Sequence, residues 1–385
     1  MAEVFGTELV KARKYRFYKG ARVAVHTWHG CHIKLTGKTE FTYIPNQETP
    51  MLSYLNMHTA LEQMRISAEK ERVRGPRVMV VGPTDTGKST VCKLLLNYAV
   101  RVGRTPVFID LDVGQSNVSI PGTMGTLTVE QPADVEEGFN QCAPLVFHYG
   151  HISPAANQKL YYVLVSRIAK VVDIKCDAII KDNLSGIIVN TGACMDKADY
   201  NSLKHAAGSF EVDVIIVLDQ EKLEYQLKRD MPDFVKVIRL SMSGGVEKRS
   251  ESERDDARVR KIREYFYGPR NNLFPHTFEV KFSEVKIFKI GAPALPESCL
   301  PFGMKPPDYQ TKIVPVQPSK SLVHHVFSVI NANSPEENLI ETNVLGFVVM
   351  TEISLEKQCF TVLSPSPGPL AKSILFQIDM QFMDI

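Results

Sequence analysis

A glycine-rich segment, VMVVGPTDTGKSTVCKLL at residues 78–95, has the residue types and the spacing that bind phosphate. Within it, GPTDTGKS at 82–89 satisfies the pattern G-x-x-x-x-G-K-[ST], between an apolar strand and a stretch of good helix formers. Glycines let the backbone wrap closely around a phosphate, and the N–H groups at a helix start point at the anion. In such a loop Lys88 reaches the β- and γ-phosphates and the Ser89 hydroxyl ligates Mg²⁺. The segment therefore predicts a nucleotide-binding loop.

A second feature with chemical potential is a pair of carboxylates in VFIDLDVGQ, residues 107–115. P-loop proteins need a carboxylate at the end of a neighbouring strand. Side chains alternate along a strand, so Asp110 and Asp112 are expected on the same face. Asp112 is nearer the carboxyl end, where ligands of open α/β sheets bind. It either holds the metal through water or takes a proton from an incoming hydroxyl, whereas Asp110 is expected to accept backbone hydrogen bonds.

These side chains must be positioned by the sheet that the surrounding sequence predicts. From residue 77 to residue 267, apolar runs alternate with stretches of helical spacing. The predicted strands are 78–81, 107–111, 145–149, 186–190, 212–219 and 235–240. Near-continuous apolar strands are buried on both faces, which indicates a mostly parallel sheet sandwiched by helices.

The flanking segments have a different pattern. Residues 1–55 show short alternations punctuated by glycine, which predict a small antiparallel β domain, and residues 56–76 predict a linker helix ended by Gly75-Pro76. After a P-loop domain at 77–270, residues 271–385 return to short strands and Gly/Pro turns. The predicted fold class is α/β, with a central P-loop NTPase-type parallel sheet flanked by small N-terminal and C-terminal β domains.

Composition excludes several classes of protein. The 385 residues are 44% hydrophobic and 23% charged, with no apolar run long enough to cross a bilayer, so no membrane association is expected. The N-terminus lacks the apolar core of a signal peptide, and the seven cysteines form no C-x-x-C pair, which favours a reducing compartment. A net charge of +2 leaves nucleic-acid contact to a local basic surface. A GTPase switch would want N-K-x-D, which the sequence lacks.

Motifs along the whole chain resemble one family. They include DLDVGQSNVSIPGT, QPADVEEGF, FEVDVIIVLD, SGGVEKR, REYFYGPRNNLFPHTF and LPFGM, in addition to the P-loop. The family is that of the polyribonucleotide 5′-hydroxyl kinases of the eukaryotic pre-mRNA 3′-end cleavage complex and the tRNA splicing machinery. The resemblance runs from about residue 2 to residue 385. It implies a nuclear protein that works with subunits of the cleavage complex and of the tRNA splicing endonuclease.

The resemblance also implies the chemistry and the residues that carry it out. The expected cofactors are ATP and Mg²⁺, and the expected acceptor is RNA with a 5′-hydroxyl end. A lid at about 241–264 would bring two arginines to the transferring phosphoryl group, where planar guanidiniums neutralise the spread charge. The implied roles are ATP binding by Arg22, Thr84, Asp85, Thr86, Gly87, Lys88, Ser89 and Thr90; catalysis by Lys88, Asp112, Arg249 and Arg254; metal binding by Ser89 and Asp112; and substrate binding by Gln115, Thr191 and Cys194.

The sequence departs from the family at two places that bear on activity. The family has more residues before the position of Met1, including a first strand and an acidic residue at the adenosine end of ATP, so the N-terminal β domain is expected to lack its first strands. Cys194 stands where the family has a tryptophan that stacks on the first RNA base, and such stacking contributes about 1–3 kcal/mol. An ATP-binding scaffold of an RNA-processing complex, with weak catalysis, is therefore the alternative to an active kinase.

Overall fold

The helices and strands follow the apolar patterning of the chain. The computed structural model describes residues 2–45, 49–141, 143–292 and 309–383, so the LPFGM motif lies outside the described residues. The helices are α1 (Met51–Glu71), α2 (Lys88–Arg101), α3 (Gln158–Ala178), α4 (Ile180–Ser185), α5 (Lys197–Ser209), α6 (Glu221–Asp230) and α7 (Glu251–Tyr267). The strands are β1 (Ala2–Val4), β2 (Thr7–Glu8), β3 (Val25–Thr27), β4 (Arg77–Val81), β5 (Val107–Asp110), β6 (Thr123–Thr128), β7 (Leu145–His148), β8 (Ile187–Asn190), β9 (Val214–Leu218), β10 (Lys236–Leu240), β11 (His276–Lys281), β12 (Lys286–Ile290), β13 (Ile313–Pro315), β14 (His325–Ile330), β15 (Asn343–Ser354), β16 (Cys359–Ser364) and β17 (Ile374–Gln381).

The chain divides into two units that are each continuous in space but not in sequence. The first unit comprises residues 1–109, 127–143 and 171–249. The second comprises residues 110–126, 144–170 and 250–385. These two units are defined by compactness in space. The domain boundaries predicted from the sequence, after residues 55, 76 and 270, stay a prediction.

The first unit contains the predicted parallel sheet. Its strand order is β10-β9-β4-β8-β5, and β4 pairs in parallel with both β8 and β9. Strands β4, β5, β8 and β9 are buried at every position, as their uninterrupted apolar sequences predict, and only the edge strand β10 carries exposed residues. The carboxyl end of the central strand β4 leads directly into the phosphate-binding pattern.

Helix α1 is the predicted linker helix, shifted toward the N-terminus. It begins at Met51, directly after Pro50, and ends at Glu71, where Arg72 adopts a left-handed conformation (φ 57°). The prediction placed its end at the Gly75-Pro76 pair, but the chain leaves the helix earlier because Arg72 already turns it. Its buried face includes Tyr54 and the fully buried Arg65, whose Nε donates to the carbonyl of Ser185.

The N-terminal β domain is smaller than the sequence pattern predicts. Strands β1, β2 and β3 form one three-stranded antiparallel sheet in the order β2-β1-β3. The alternation at 32–35 predicts a further strand, but these residues are not a strand, and Ile33 and Leu35 are exposed. Alternation specifies a strand only where a partner strand satisfies its backbone groups.

The second unit is built on a largely antiparallel sheet. Its strands lie in the order β6-β7-β15-β14-β17-β12-β13, with β16 between β15 and β11. The predicted strand at 145–149 belongs here: β7 pairs antiparallel with β6 and β15, so its assignment to the parallel sheet was wrong. The apolar run correctly indicated a buried strand, but burial alone did not fix its direction, because β7 is an inner strand of an antiparallel group.

A fully buried histidine, His148, lies at the end of β7. Its Nδ1 is 2.8 Å from the hydroxyl of Ser328, and its Nε2 has no hydrogen-bond partner among the described residues. Burial, and secondly the charge of His151, lowers the pKa of His148 from 6.5 to about 3, against the opposing effect of Asp379. The native ring therefore stays neutral at pH values where the unfolded chain takes up a proton.

The lowered pKa of His148 should make the stability of the protein depend on pH. Because the unfolded state binds more protons between about pH 6.5 and pH 3, native stability falls with pH across that window, by about 2 kcal/mol for His148 alone between pH 7 and pH 5. Replacing His148 with glutamine should reduce the loss of unfolding free energy between these two pH values by about this amount. Urea denaturation at both pH values measures it, and equal losses in the two proteins would contradict the account.

The described residues contain no helix long and apolar enough to cross a membrane.

Candidate functional site: a phosphate-binding loop and its lid

The phosphate-binding loop joins β4 to α2, as the sequence predicts. Gly82 has φ +156° and Gly87, at the N-cap of α2, has φ +85°; both are conformations that favour glycine. Helix α2 begins at Lys88, with no side-chain cap and no acidic residue in its first turn. The positive end of the helix dipole therefore meets no carboxylate of its own first turn and favours an anion.

Lys88 is folded into the loop and is 8% exposed. Its ammonium group donates to the carbonyls of Pro83 at 2.7 Å and Gly82 at 3.2 Å. Thr86 is also buried, and its hydroxyl donates to the carbonyl of Pro83 at 3.0 Å. The loop therefore holds a cation through its own carbonyls, and the flexible stem of Lys88 lets this cation move to a phosphate.

Gly82 provides a test of the loop geometry. A Cβ at this position would lie 2.9 Å from the carbonyl oxygen of Leu218, in addition to the strained φ. Replacing Gly82 with alanine should therefore displace the loop and lower nucleotide affinity by at least about tenfold, a cost of roughly 1.4 kcal/mol. Titration with a fluorescent ATP analogue measures this. Gly208 on α5 is the matched control, because a Cβ there meets nothing within 4 Å; unchanged affinity in the Gly82 variant would contradict the assignment.

The carboxyl end of β8 lies against the loop. The side-chain amide of Asn190, the last residue of β8, donates to the Ser89 hydroxyl at 3.3 Å. The Thr191 hydroxyl donates to the carbonyl of Val80 at 2.8 Å, and the backbone N–H of Cys194 donates to the carbonyl of Gly82 at 3.2 Å. The predicted substrate residue Cys194 is thus joined to the backbone of the predicted ATP loop, and Thr191 is joined to β4, the strand that leads into it.

Cys194 is buried and has no exposed surface on which an RNA base could stack. Its side chain is 7% exposed, and burial, more than the charges of Asp199 and Asp196, raises the pKa of its thiol to about 11. A neutral, buried thiol neither reacts as a nucleophile nor stacks on a nucleobase. The next residue, Met195, is 70% exposed and presents the apolar surface at this position.

The segment between β10 and α7, residues 241–249, covers the loop and is called the lid loop below. The backbone N–H of Arg249 donates to the Asp85 carboxylate at 3.0 Å. Val246 packs on Gly87, where a Cβ would lie 3.2 Å from the valine methyl group. The first of the two predicted lid arginines is therefore attached to the P-loop through its backbone.

Arg22 is placed on the lid loop. Its guanidinium donates to the carbonyls of Glu247 at 3.2 Å and Lys248 at 3.5 Å. These carbonyls directly precede Arg249 in the chain. The expected contact of Arg22 with the nucleotide remains a prediction, and its observed contacts make it a neighbour of the lid.

The second unit contains the remaining predicted residues. Asp112 follows β5 and accepts hydrogen bonds on Oδ1 from the backbone N–H groups of Gly114 at 3.0 Å and Gln115 at 3.1 Å. Asp110 is fully buried and accepts from the backbone N–H groups of Asp112 and Asn117, as expected of a residue that ends a strand. The turn is fixed, and Asp112 remains half-buried where Asp110 is enclosed.

Arg254 lies in the first turn of α7, after a capping box. The Ser250 hydroxyl accepts from the N–H of Glu253, whose carboxylate accepts from the N–H of Ser250. The S-x-x-E pattern that predicts this helix start is visible in the sequence, whereas the mixed-charge pattern alone suggests a solvated helix face. The capping box fixes where the lid loop ends and α7 begins.

Two kinds of residue at this site could not be singled out by motif. Asn190 appears in the sequence only as a polar residue ending an apolar strand, GIIVN, and that position is its one signal. Tyr43 and Tyr54, which donate to lid-loop carbonyls at 3.0 Å and 2.8 Å, carry no sequence signal, because their partners lie about 200 residues further along the chain.

The loop fits a nucleotide phosphate and its metal ion. Two glycines have backbone conformations that leave room for a close anion, the first turn of α2 carries no competing carboxylate, and a buried ammonium is already present. The Ser89 hydroxyl lies at the start of the same helix and is a hard oxygen ligand of the type that Mg²⁺ prefers.

A central strand of a buried parallel sheet that runs through this loop into a helix defines a P-loop nucleotide-binding protein of mixed α/β fold. The chain belongs to the Clp1 family. Three family descriptions match it: the N-terminal beta-sandwich domain of polyadenylation factor at residues 1–68, the mRNA cleavage and polyadenylation factor CLP1 P-loop at 82–268, and the pre-mRNA cleavage complex II protein Clp1 at 273–384.

Curated relatives agree with this assignment, and a solved structure shares the fold. The chain is 57% identical over 385 residues to proteins named polyribonucleotide 5′-hydroxyl-kinase Clp1 from Gallus gallus and Homo sapiens, covering 100% of this chain and 90% of each relative. The Xenopus laevis protein of that name is 52% identical over 387 residues. A solved structure of Clp1p with Pcf11p shares the fold, with a TM-score of 0.78 at 21% identity over 99% of this chain and 92% of that one. The resemblance inferred from the motifs is confirmed.

Proposed function

We propose that this protein is an ATP-dependent polynucleotide kinase that phosphorylates the 5′-hydroxyl of RNA. The observation that carries the proposal is a complete phosphate-binding loop, with Lys88 inside it and the lid loop attached to it, in a chain 57% identical to curated polyribonucleotide 5′-hydroxyl kinases. The reaction class follows from these relatives, and the loop supplies the machinery that the reaction requires.

In the proposed reaction the RNA 5′-oxygen attacks the γ-phosphorus of ATP. The new P–O bond forms as the bond from the γ-phosphorus to the β–γ bridging oxygen breaks, and ADP leaves with that electron pair. Lys88 and the N–H groups of α2 stabilise charge on the β- and γ-phosphates. Ser89 and Asp112 are the residues that would hold Mg²⁺, which would supply charge neutralisation for these phosphates when bound. The Asp112 carboxylate takes the proton of the 5′-hydroxyl.

The two lid arginines have a separate role in this proposal. The transition state spreads negative charge over the equatorial oxygens of the transferring group, and planar guanidiniums neutralise such charge well. Arg249 and Arg254 are the residues we assign to it. Gln115, Thr191 and Cys194 are assigned to the acceptor side. For Cys194 the contribution is its backbone position, since its side chain is buried.

The proposed setting is RNA processing in the nucleus. The family descriptions name mRNA cleavage and polyadenylation, and a related structure contains Clp1p bound to Pcf11p. We assign this chain to pre-mRNA 3′-end formation with subunits of the cleavage complex, and to tRNA splicing with subunits of the splicing endonuclease. ATP and Mg²⁺ are its proposed cofactors.

One observation favours a second function, that of an ATP-binding scaffold with weak catalysis. The side chain at Cys194 is 7% exposed and offers no stacking surface to the first RNA base. Without that stacking contact the protein holds the RNA acceptor through the RNA backbone and through fewer side chains. Phosphoryl transfer is then slower, whereas ATP binding persists.

An acceptor comparison distinguishes the two functions. The purified chain is incubated with γ-labelled ATP and Mg²⁺, beside one RNA oligonucleotide prepared with a 5′-hydroxyl or a 5′-phosphate and a DNA of the same sequence. Label on the 5′-hydroxyl RNA, and none on its 5′-phosphate form, supports the kinase. No label on any acceptor, together with measurable ATP binding, supports the scaffold instead.

A further inference from the structure

The lid loop is attached to the rest of the first unit at both ends and in the middle. At its start the Tyr54 hydroxyl, on α1, donates to the carbonyl of Ser241 at 2.8 Å. In its middle the Tyr43 hydroxyl donates to the carbonyl of Gly244 at 3.0 Å. At its end the N–H of Arg249 donates to the Asp85 carboxylate.

The two tyrosines suit this task for different reasons. Tyr54 is 3% exposed, and burial, with a smaller effect of Asp219, raises the pKa of its hydroxyl to about 12, so it remains a donor at any working pH. Tyr43 is 42% exposed, and Pro45, two residues further along the chain, also approaches the lid loop, with its Cβ 3.6 Å from a Cβ built on Gly244. The Tyr54 contact is therefore buried. The Tyr43 contact lies at the surface, on a pair of glycines whose backbone is flexible.

The position of Arg249 depends on these anchors. Residues 244 and 245 are both glycine, a flexible connection that leaves many backbone conformations open. Two hydroxyl donors fix the carbonyls before and within this connection, five and eight residues ahead of Arg249. A guanidinium that acts only in the transition state must be held in place beforehand, because a loose one loses the advantage of preorganisation.

We propose that Tyr43 and Tyr54 are positioning residues, which hold the lid loop on the phosphate-binding loop so that Arg249 is preorganised for phosphoryl transfer. The effect on the rate of transfer rests on the proposed kinase function. The effect on the position of the lid loop rests only on the two hydrogen bonds. Both tyrosines precede the P-loop in the sequence, and they act on the reaction only through the position of Arg249.

Limited proteolysis measures the anchoring without any need for activity. Trypsin cleaves after Lys248 and Arg249 when the lid loop opens, and the cleavage rate follows the open population when opening is fast. Replacing either tyrosine with phenylalanine removes only the hydroxyl group; at Tyr43 this hydroxyl also interacts with the Glu247 side chain, which belongs to the same lid loop. Each variant should be cleaved at these bonds roughly two- to tenfold faster than wild type, and the double variant by about the product of the two factors.

The kinetic arm tests the consequence for Arg249. Each variant should lose kcat and kcat/KM by a similar roughly two- to tenfold factor, with the Kd for ATP unchanged, because the affected interaction is made in the transition state. Tyr225 on α6, which is 70% exposed, provides the matched tyrosine-to-phenylalanine control and should alter neither readout. Thermal denaturation of every variant shows whether the whole fold has changed, and Tyr43 is exposed enough that its variant should melt as wild type does.

Two results would overturn the proposal. Cleavage at the wild-type rate in both variants would show that the hydroxyls do not hold the loop. Faster cleavage with unchanged kcat would show that they hold it without positioning Arg249. A wild-type chain with no transfer would refute the kinase function, and the cleavage rates would then decide the anchoring by themselves.

Discussion

Replacing Lys88 with methionine should lower kcat for phosphoryl transfer by about 10²–10³-fold. The substitution keeps the apolar stem that fills the loop and removes the ammonium that donates to the carbonyls of Gly82 and Pro83. Removal of one preorganised donor to a developing oxyanion typically costs this much, since the site excludes much of the water that would otherwise replace it. Label transfer from γ-labelled ATP to a 5′-hydroxyl RNA, at saturating ATP, measures the change.

The Lys88 variant needs a control for charge and for folding. Lys70, exposed in the last turn of α1, gives the same loss of charge when replaced with methionine and should retain wild-type kcat. The melting temperature of the Lys88 variant shows whether loss of the donor to two loop carbonyls has changed the fold as a whole. A Lys88 variant that transfers phosphate at the wild-type rate would exclude this loop as the site of the reaction.

Replacing Asp112 with asparagine should lower kcat by about 10²–10⁴-fold, the usual contribution of a general base, and leave KM for the RNA nearly unchanged. The amide keeps an oxygen that can accept from the N–H groups of Gly114 and Gln115, so the turn is retained. What is lost is the charge that accepts a proton and attracts the metal ion. Single-turnover transfer with saturating RNA separates this chemical step from product release.

Asp177, exposed on α3, supplies the matched acid-to-amide control and should have no effect on either constant. A rise in KM for the RNA with unchanged kcat in the Asp112 variant would place this carboxylate on the acceptor as a binding group only. That outcome would contradict its assignment as the base.

The P-loop could be predicted in detail because its signal is local. Glycines with positive φ, a lysine and a serine at fixed spacing determine the turn between β4 and α2 with little help from the rest of the fold. The buried strands of the parallel sheet were also predictable, since their apolar residues run without interruption. The direction of β7 was not predictable, because an antiparallel strand in the middle of a large sheet can be as buried and as apolar as a parallel one.

Features that join distant segments could not be read from the sequence. The anchoring of Gly244 by Tyr43 connects residues 201 positions apart, and no local pattern marks either partner. The length of the N-terminal strands was also unpredictable, because alternation reports a half-buried strand only when a partner strand is present. The sequence and the resemblance marked Cys194 as different from the family, and the structure adds that its thiol is buried.

The most direct test of the central claim is single-turnover transfer of the γ-phosphoryl group of labelled ATP to a 5′-hydroxyl RNA, with ATP binding measured on the same preparation. The account predicts RNA carrying one labelled 5′-phosphate in the wild-type chain, and loss of that product in the Lys88 and Asp112 variants. ATP bound by the wild-type chain with no label on the RNA would contradict it.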